Sequence, residues 1–206
     1  MLCSTIWPAK KERWRILLVG DQEVGRTSFA YRFSEDTYQE HYEKLVFEED
    51  HVKECVIGEK DTCIAYLLDR WVVQSHYHDT EDDIPYCDGY LLLYSTTSRS
   101  SFQDVARTCR QVPLDPKRNP NTVLVLVGTK SDLVSSREVT PEEGAAMAKD
   151  LGCHAFIETS AKTGKNVDAA VLAMVQALRE AAASREMIIV SAFHKLRELV
   201  GGASKS

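Results

Sequence analysis

Apolar residues along this chain fall into two kinds of run, short continuous ones and longer ones that recur every three or four positions. The continuous runs are Ile16 to Val19, Gly89 to Tyr94 and Thr122 to Val127, with a shorter one from His154 to Ile157. Unbroken apolar runs of that length suit strands covered on both faces. His51 to Ile57 alternates loosely, Gly58 to Asp61 supplies turn residues, and Thr62 to Leu68 follows, which predicts a hairpin. Helical spacing predicts a short helix over Ser28 to Phe33 and a longer one over Arg99 to Gln111, through Phe102, Val105 and Cys109. Thr140-Pro141-Glu142-Glu143 carries the marks of a helix start: a hydroxyl cap, proline in the first position and acids in the first turn. Val167, Ala170, Val171, Met174, Val175 and Leu178 share one face of a helix over Asn166 to Ala183. Ile188, Ile189, Ala192, Phe193, Leu196 and Leu199 continue as a rough stripe over Glu186 to Val200. Packing on the domain is the first expectation for that stripe, with a partner or a membrane surface as the alternatives. Asp36 to Asp50, Asp69 to Pro85 and Pro113 to Asn121 show no period and read as connections.

Strands alternating with helices imply a mostly parallel sheet covered on both faces. In such a sheet a ligand lies beyond the carboxyl ends of the strands. The residues to weigh are therefore those following Val19, Leu68, Val127 and Ile157. After Val19 comes Gly20-Asp21-Gln22-Glu23-Val24-Gly25-Arg26-Thr27-Ser28, a loop bounded by two glycines and leading into a helix. This is the spacing of a phosphate-binding loop, with Arg26 where a lysine is usual. Backbone N–H groups of such a loop converge on an anion, and the helix N-terminus adds unpaired donors and a positive dipole end. Taken alone, the same residues also describe an ordinary strand-turn-helix. After Leu68 stands Asp69, after Val127 stands Gly128-Thr129-Lys130-Ser131-Asp132, and after Ile157 stands Glu158-Thr159-Ser160-Ala161-Lys162.

Composition narrows the classes. The chain has 206 residues and a net charge of -6, which argues against a protein that wraps nucleic acid. Its six cysteines form no C-x-x-C pair and sit mostly inside apolar runs, so buried free thiols in a reducing compartment are expected rather than a disulfide framework. No apolar stretch approaches the ~20 residues that span a bilayer. Gly201-Gly202-Ala203-Ser204-Lys205-Ser206 holds no cysteine, so no prenyl anchor is expected there. The expected location is cytoplasmic, with peripheral association at the plasma membrane as an extension. His76-Tyr77-His78-Asp79 has no partner ligands at helix spacing and reads as a solvated loop rather than a metal cluster.

The four strand-end segments together resemble the guanine-nucleotide signature of Ras-type small GTPases, in order and spacing, over residues 14–183. The resemblance implies an α/β P-loop NTPase fold, the Ras-like small G domain, with a mostly parallel six-stranded sheet and helices on both faces. It divides the chain into an N-terminal extension (1–12), the nucleotide-binding domain (13–183) and a C-terminal helical extension with a short tail (184–206). It also implies GTP/GDP and Mg²⁺ as cofactors. Gly20, Asp21, Gln22, Glu23, Val24, Gly25, Arg26, Thr27 and Ser28 would meet the phosphates. Tyr38 would edge the base, and Thr129, Lys130, Asp132, Leu133, Ser160, Ala161 and Lys162 would surround it. A carboxylate at Asp132 can accept two hydrogen bonds from the N1–H and 2-amino edge of guanine, which adenine lacks. Lys130 would lie along the base and brace the phosphate loop, while the Ala161 N–H would meet the guanine oxygen. Thr27 would hold Mg²⁺ through its hydroxyl, with Asp69 behind it through water.

Five positions depart from the family pattern. Arg26 keeps a charge but cannot place a compact ammonium at the same point. Leu45 or Val46 aligns where a threonine should reach the metal and the γ-phosphate. Asp69-Arg70-Trp71-Val72 lacks the glycine of D-x-x-G, and Val73 replaces the glutamine that orients the attacking water. Thr129 replaces an asparagine, with the expected loss of an amide that steadies the loops around the base. Base-reading groups persist, whereas those that sense or attack the γ-phosphate are altered, so slow or vestigial hydrolysis is expected. Trp71 also resembles the Rad, Gem and Rem (RGK) group of Ras relatives, which implies the voltage-gated calcium-channel β subunit as a partner. The expected function is thus a monomeric GTP-binding regulator that meets effectors or regulators through residues 36–50 and 69–85, both of which carry acidic runs. The alternative is a pseudo-GTPase scaffold that binds proteins without nucleotide turnover. An adenine-nucleotide P-loop enzyme conflicts with Lys130-Ser131-Asp132 and Ser160-Ala161-Lys162.

Overall fold

The protein is described from a computed structural model, in which residues 11–40, 49–57, 61–69, 87–111 and 122–202 are placed. In chain order the elements are β1 (Glu12–Val19), α1 (Arg26–Glu35), β2 (Glu49–Ile57), β3 (Asp61–Asp69), β4 (Gly89–Ser95), α2 (Arg99–Gln111), β5 (Val123–Thr129), α3 (Pro141–Asp150), β6 (Ala155–Glu158) and α4 (Val167–Gly202). A single 3-10 turn, Val134–Ser136, lies between β5 and α3. The six strands form one sheet in the order β2-β3-β1-β4-β5-β6, parallel throughout except for the β2–β3 hairpin. The expected α/β architecture is what the chain adopts.

Alternate residues of each central strand feed two separate cores. Ile16, Leu18, Leu91, Leu93, Val125 and Val127 point to one face, where they meet Phe29 and Phe33 of α1 and Val171, Met174, Val175 and Leu178 of α4. Leu17, Val19, Leu92, Tyr94, Leu124 and Leu126 point to the other, against Phe102, Val105 and Cys109 of α2 and Ala148 of α3. This is why β4 and β5 are buried at every position and why their sequences do not alternate. Burial of this kind contributes about 1.5–3 kcal/mol for each large side chain. Cys55, Cys63, Cys87 and Cys109 are buried free thiols, as expected, and burial pushes the Cys55 thiol up to about 11, which keeps it protonated and inert.

Several boundaries differ from the sequence reading, and three of them bear on the architecture. β1 begins at Glu12, not Ile16, because parallel pairing of Glu12 to Arg15 with Cys63 to Tyr66 extends the strand through the exposed Glu12 and Arg13 and the half-buried Trp14 and Arg15. α1 begins at Arg26, two residues before the expected Ser28. The third concerns α4, which runs as one 36-residue helix through the expected division at 183/184. Its burial ends near Ala181, and Ile188 and Ile189 are exposed rather than packed on the domain. Among the described residues, no helix is long and apolar enough to cross a membrane.

Candidate functional site

β1 delivers the chain into the loop Gly20–Gly25 at the carboxyl edge of the sheet. The loop turns through left-handed backbone at Glu23 (φ 62°) and Gly25 (φ 92°), the second a conformation that glycine adopts without steric cost. Gly25 caps α1 with no side-chain hydrogen bond of its own, and the first N–H groups of a helix have no partner within the helix. Such a helix start is a ready anion site. Val24 is buried, while Asp21, Gln22 and Glu23 are exposed, with the Gln22 N–H donating to the Asp21 carboxylate at 2.7 Å.

Beside the loop, the ends of β5 and β6 enclose a cavity of about 160 Å³. Of the residues expected around a base, Tyr38, Thr129, Lys130, Asp132, Leu133, Ala161 and Lys162 line it, and Gly25 and Ser28 line it from the phosphate loop. Phe29, Glu40 and Thr159 also line it and were not foreseen. Lys130 holds a left-handed conformation (φ 58°), and its Cε lies 4.0 Å from where a Cβ on Gly25 would be, which brings its stem near the loop. Ser160 does not line the cavity; it is fully buried, and its hydroxyl accepts the Thr163 N–H at 3.1 Å, which shapes the Ser160-Ala161-Lys162 turn.

Thr129 corrects an expectation. Its buried hydroxyl lies 2.5 Å from the Val24 carbonyl of the phosphate loop and 2.9 Å from the Tyr94 carbonyl. The hydroxyl thus ties the loop to β4 and β5, so loss of the asparagine amide does not leave these elements unconnected. Thr96 supports the same corner by donating to the carbonyls of Thr129 and Lys130 at 2.9 and 3.2 Å.

A further contributor was missed by the sequence reading. Arg32, on α1, donates from Nε to the Ala161 carbonyl at 2.6 Å and from Nη2 to the Lys162 carbonyl at 3.2 Å. Its Nη1 meets the carbonyl and carboxylate of Asp36 at 2.8 and 2.9 Å. One guanidinium therefore ties the base-side turn to the end of α1, just ahead of Tyr38. No motif spacing signals it.

At the phosphate end, Thr27 donates its hydroxyl to Asp69 Oδ2 at 2.6 Å, so the two residues expected to serve Mg²⁺ do meet. Arg26 enters the same place. Its Nη1 donates to the Gly20 carbonyl at 2.9 Å, and its Nε lies 3.5 Å from Asp69 Oδ1. Both side chains are largely enclosed, at 16% and 11% exposure. The oxygens suit a hard cation, but Asp69 already faces a fixed positive charge, and a divalent ion beside it would repel the guanidinium. The charge arrangement therefore does not fit Mg²⁺ as the resemblance implied. Leu45, Val46, Trp71, Val72 and Val73, with most of the expected effector surface, lie outside the described residues. His76 and His78 lie there too, and among the described residues no group of His, Cys, Asp and Glu is placed to hold a metal.

Comparison with known proteins agrees with this geometry. The Ras family profile matches residues 15–180. The chain is similar to Ras-like protein 1 of Pyricularia oryzae, 33% identical over 183 residues, covering 80% of this chain and 74% of the relative. It is also similar to Ras-like protein rasB of Dictyostelium discoideum, at 32% identity covering 81% of this chain and 83% of the relative. A third relative, protein ras-2 of Neurospora crassa, is 32% identical, covering 83% and 81% respectively. With a cavity at the expected strand ends and a family match over residues 15–180, the chain belongs to the Ras family of small GTP-binding regulatory proteins.

Proposed function

We propose that this chain binds guanine nucleotide and acts by protein contacts, turning GTP over slowly or not at all. The observation that carries the reading is the convergence of Asp132, Lys130 and Ala161 on one cavity next to an anion-ready helix start. Asp132 accepts from the N1–H and 2-amino groups of guanine, the Ala161 N–H donates to its oxygen, and the Lys130 stem covers the base plane while touching the phosphate loop. Adenine offers no matching edge, and a carboxylate left unpaired in the site discriminates by orders of magnitude.

Slow turnover follows from residue chemistry. Val73 has no polar atom with which to orient water, and neither Leu45 nor Val46 offers an oxygen to the γ-phosphate side. Effectors or regulators would meet residues 36–50 and 69–85. The pseudo-GTPase scaffold is the second reading, favoured by the Arg26–Asp69 pair at the phosphate end. The RGK-like reading, with a calcium-channel β subunit as partner, rests chiefly on Trp71 within Asp69-Arg70-Trp71 and is tested by direct binding to that subunit.

Nucleotide extraction from the purified chain separates these readings. Recovered GDP or GTP is the expected result, an empty site favours the scaffold, and recovered ATP overturns guanine recognition. In a single-turnover assay, Val73→Gln is expected to accelerate GTP hydrolysis. No acceleration means that this position does not limit the rate.

A further inference from the structure

The phosphate end of the site holds a cation belonging to the chain itself. Asp69 lies at the end of β3, and both of its carboxylate oxygens are engaged, Oδ2 by the Thr27 hydroxyl at 2.6 Å and Oδ1 by Arg26 Nε at 3.5 Å. The same guanidinium donates from Nη1 to the Gly20 carbonyl at 2.9 Å, at the opening of the phosphate loop. Lysine could not make this arrangement. An ammonium is one compact charge at the end of a flexible stem, whereas guanidinium spreads five donors over a rigid plane and can serve a carbonyl and a carboxylate together. The enclosure of both side chains, at 16% and 11% exposure, limits screening of the pair by solvent.

We propose that the Arg26 guanidinium takes the place of the divalent metal as the cation between Asp69 and the nucleotide phosphates, so that guanine nucleotide is held with little dependence on Mg²⁺. The inference rests on the guanine-nucleotide reading above. Two conditions of the site support it. Asp69 supplies the negative charge that a metal bound through water would need, and Arg26 already neutralises it. The α1 start, where the cap residue Gly25 makes no side-chain hydrogen bond, is suited to donate N–H groups to phosphate independently of any metal. A divalent ion entering here must displace the guanidinium from Asp69 or sit against a like charge. Either cost reduces what the ion can add to nucleotide affinity.

The test uses the full chain loaded with a fluorescent N-methylanthraniloyl GDP, with release followed in excess Mg²⁺ and in EDTA. The expected result for the unaltered chain is a release rate that differs by less than about threefold between the two conditions. In Arg26→Lys, where the ammonium no longer bridges Gly20 and Asp69, EDTA is expected to accelerate release by about tenfold or more. Calorimetric titration of Mg²⁺ into the GDP-loaded, unaltered chain is expected to show no binding tighter than Mg²⁺ shows for free GDP. This measurement stands even where Arg26→Lys fails to fold. Tenfold acceleration by EDTA in the unaltered chain overturns the inference while leaving guanine binding intact. An Arg26→Lys protein that folds and stays insensitive to EDTA overturns the assignment to Arg26. Failure to bind the GDP analogue in either condition overturns the guanine reading, and the inference with it.

Discussion

Arg32 uses three nitrogens on acceptors that belong to two different parts of the site, the Ala161–Lys162 turn and Asp36. Carbonyls that accept from a guanidinium are held more firmly than those facing water, because charged hydrogen bonds contribute about 1.5–3 kcal/mol each. On the guanine-nucleotide reading proposed above, the Ala161 N–H that would meet the base belongs to the residue whose carbonyl Arg32 fixes, so loss of the side chain would loosen base recognition without touching the nucleotide. Arg32→Ala is expected to speed release of bound GDP by about tenfold while leaving the fold intact. Stopped-flow fluorescence measures this directly, and release within about twofold of the unaltered rate would mean that the turn holds its shape unaided. The contact was not legible beforehand because it joins residues 129 positions apart, and no period or motif encodes such a separation. Asp132 and Lys130 were legible because their chemistry constrains residue type at fixed spacing. Thr129 lay between these cases. The position was found, but its hydroxyl contacts to the Val24 and Tyr94 carbonyls depend on how closely three strand ends approach.

Helix α3 shows local rules and tertiary contacts acting on the same residues. Thr140 and Glu143 form a reciprocal capping box, as the Thr140-Pro141-Glu142-Glu143 run predicted. The Arg99 guanidinium from α2 then adds two hydrogen bonds to the Glu143 carboxylate, at 2.6 and 3.1 Å. Foremost through Arg99, and then through the Thr140 N–H, the Glu143 carboxyl is pulled down to about 2. A carboxyl whose folded pKa lies below its ordinary value of 4.5 adds stability above that value and loses it as pH falls toward about 2. Glu143→Gln is therefore expected to lower the melting temperature at neutral pH, with the difference from the unaltered chain closing between about pH 4.5 and pH 2. Thermal melts across that range check it, and a difference that persists at pH 2 would assign the effect to the cap geometry rather than to the charge. One residue further on, Gly144 defies helix propensity. A Cβ there would lie 2.2 Å from Phe156 Cζ and 2.6 Å from the Tyr94 hydroxyl oxygen. Gly144→Ala should stabilise an isolated helix by up to about 1 kcal/mol, yet in this packed setting it is expected to destabilise the protein by about 1–3 kcal/mol. Urea titration gives the sign, and a gain in stability would show that the Phe156 ring gives way. The elements themselves were read from sequence wherever burial set the pattern. The start of β1 was missed because its first residues, Glu12 and Arg13, are exposed, and the strand is extended there by parallel pairing with β3, which no apolar pattern signals.

The sheet sets how far α4 can be buried. Its central strands β4 and β5 are each seven residues long, a span of about 23 Å. The buried stretch of α4 runs from Val167 to Leu178, about 18 Å of helix, and Ala181 is its last partly buried contact with the core. Beyond that point every described side chain from Ala182 to Ser191 is exposed. Met187, Ile188, Ile189 and Val190 stand 48% to 74% exposed there. An apolar stripe in sequence shows that a helix has an oily side, but what covers that side is decided by tertiary contacts, and the expectation of packing fails at Ile188 and Ile189, which stand exposed. Removing the chain after Ser184 takes away side chains that, through Ser191, touch little of the domain. The truncated protein is expected to melt within about 2 °C of the full chain and to release GDP at an unchanged rate. A four-residue exposed apolar run also favours self-association, so the truncated protein is expected to stay monomeric to higher concentration in light scattering. A fall in melting temperature of more than about 5 °C would show instead that residues 185–202 do pack on the domain. In that event the division between a nucleotide-binding domain and a helical extension would have to move toward the end of α4.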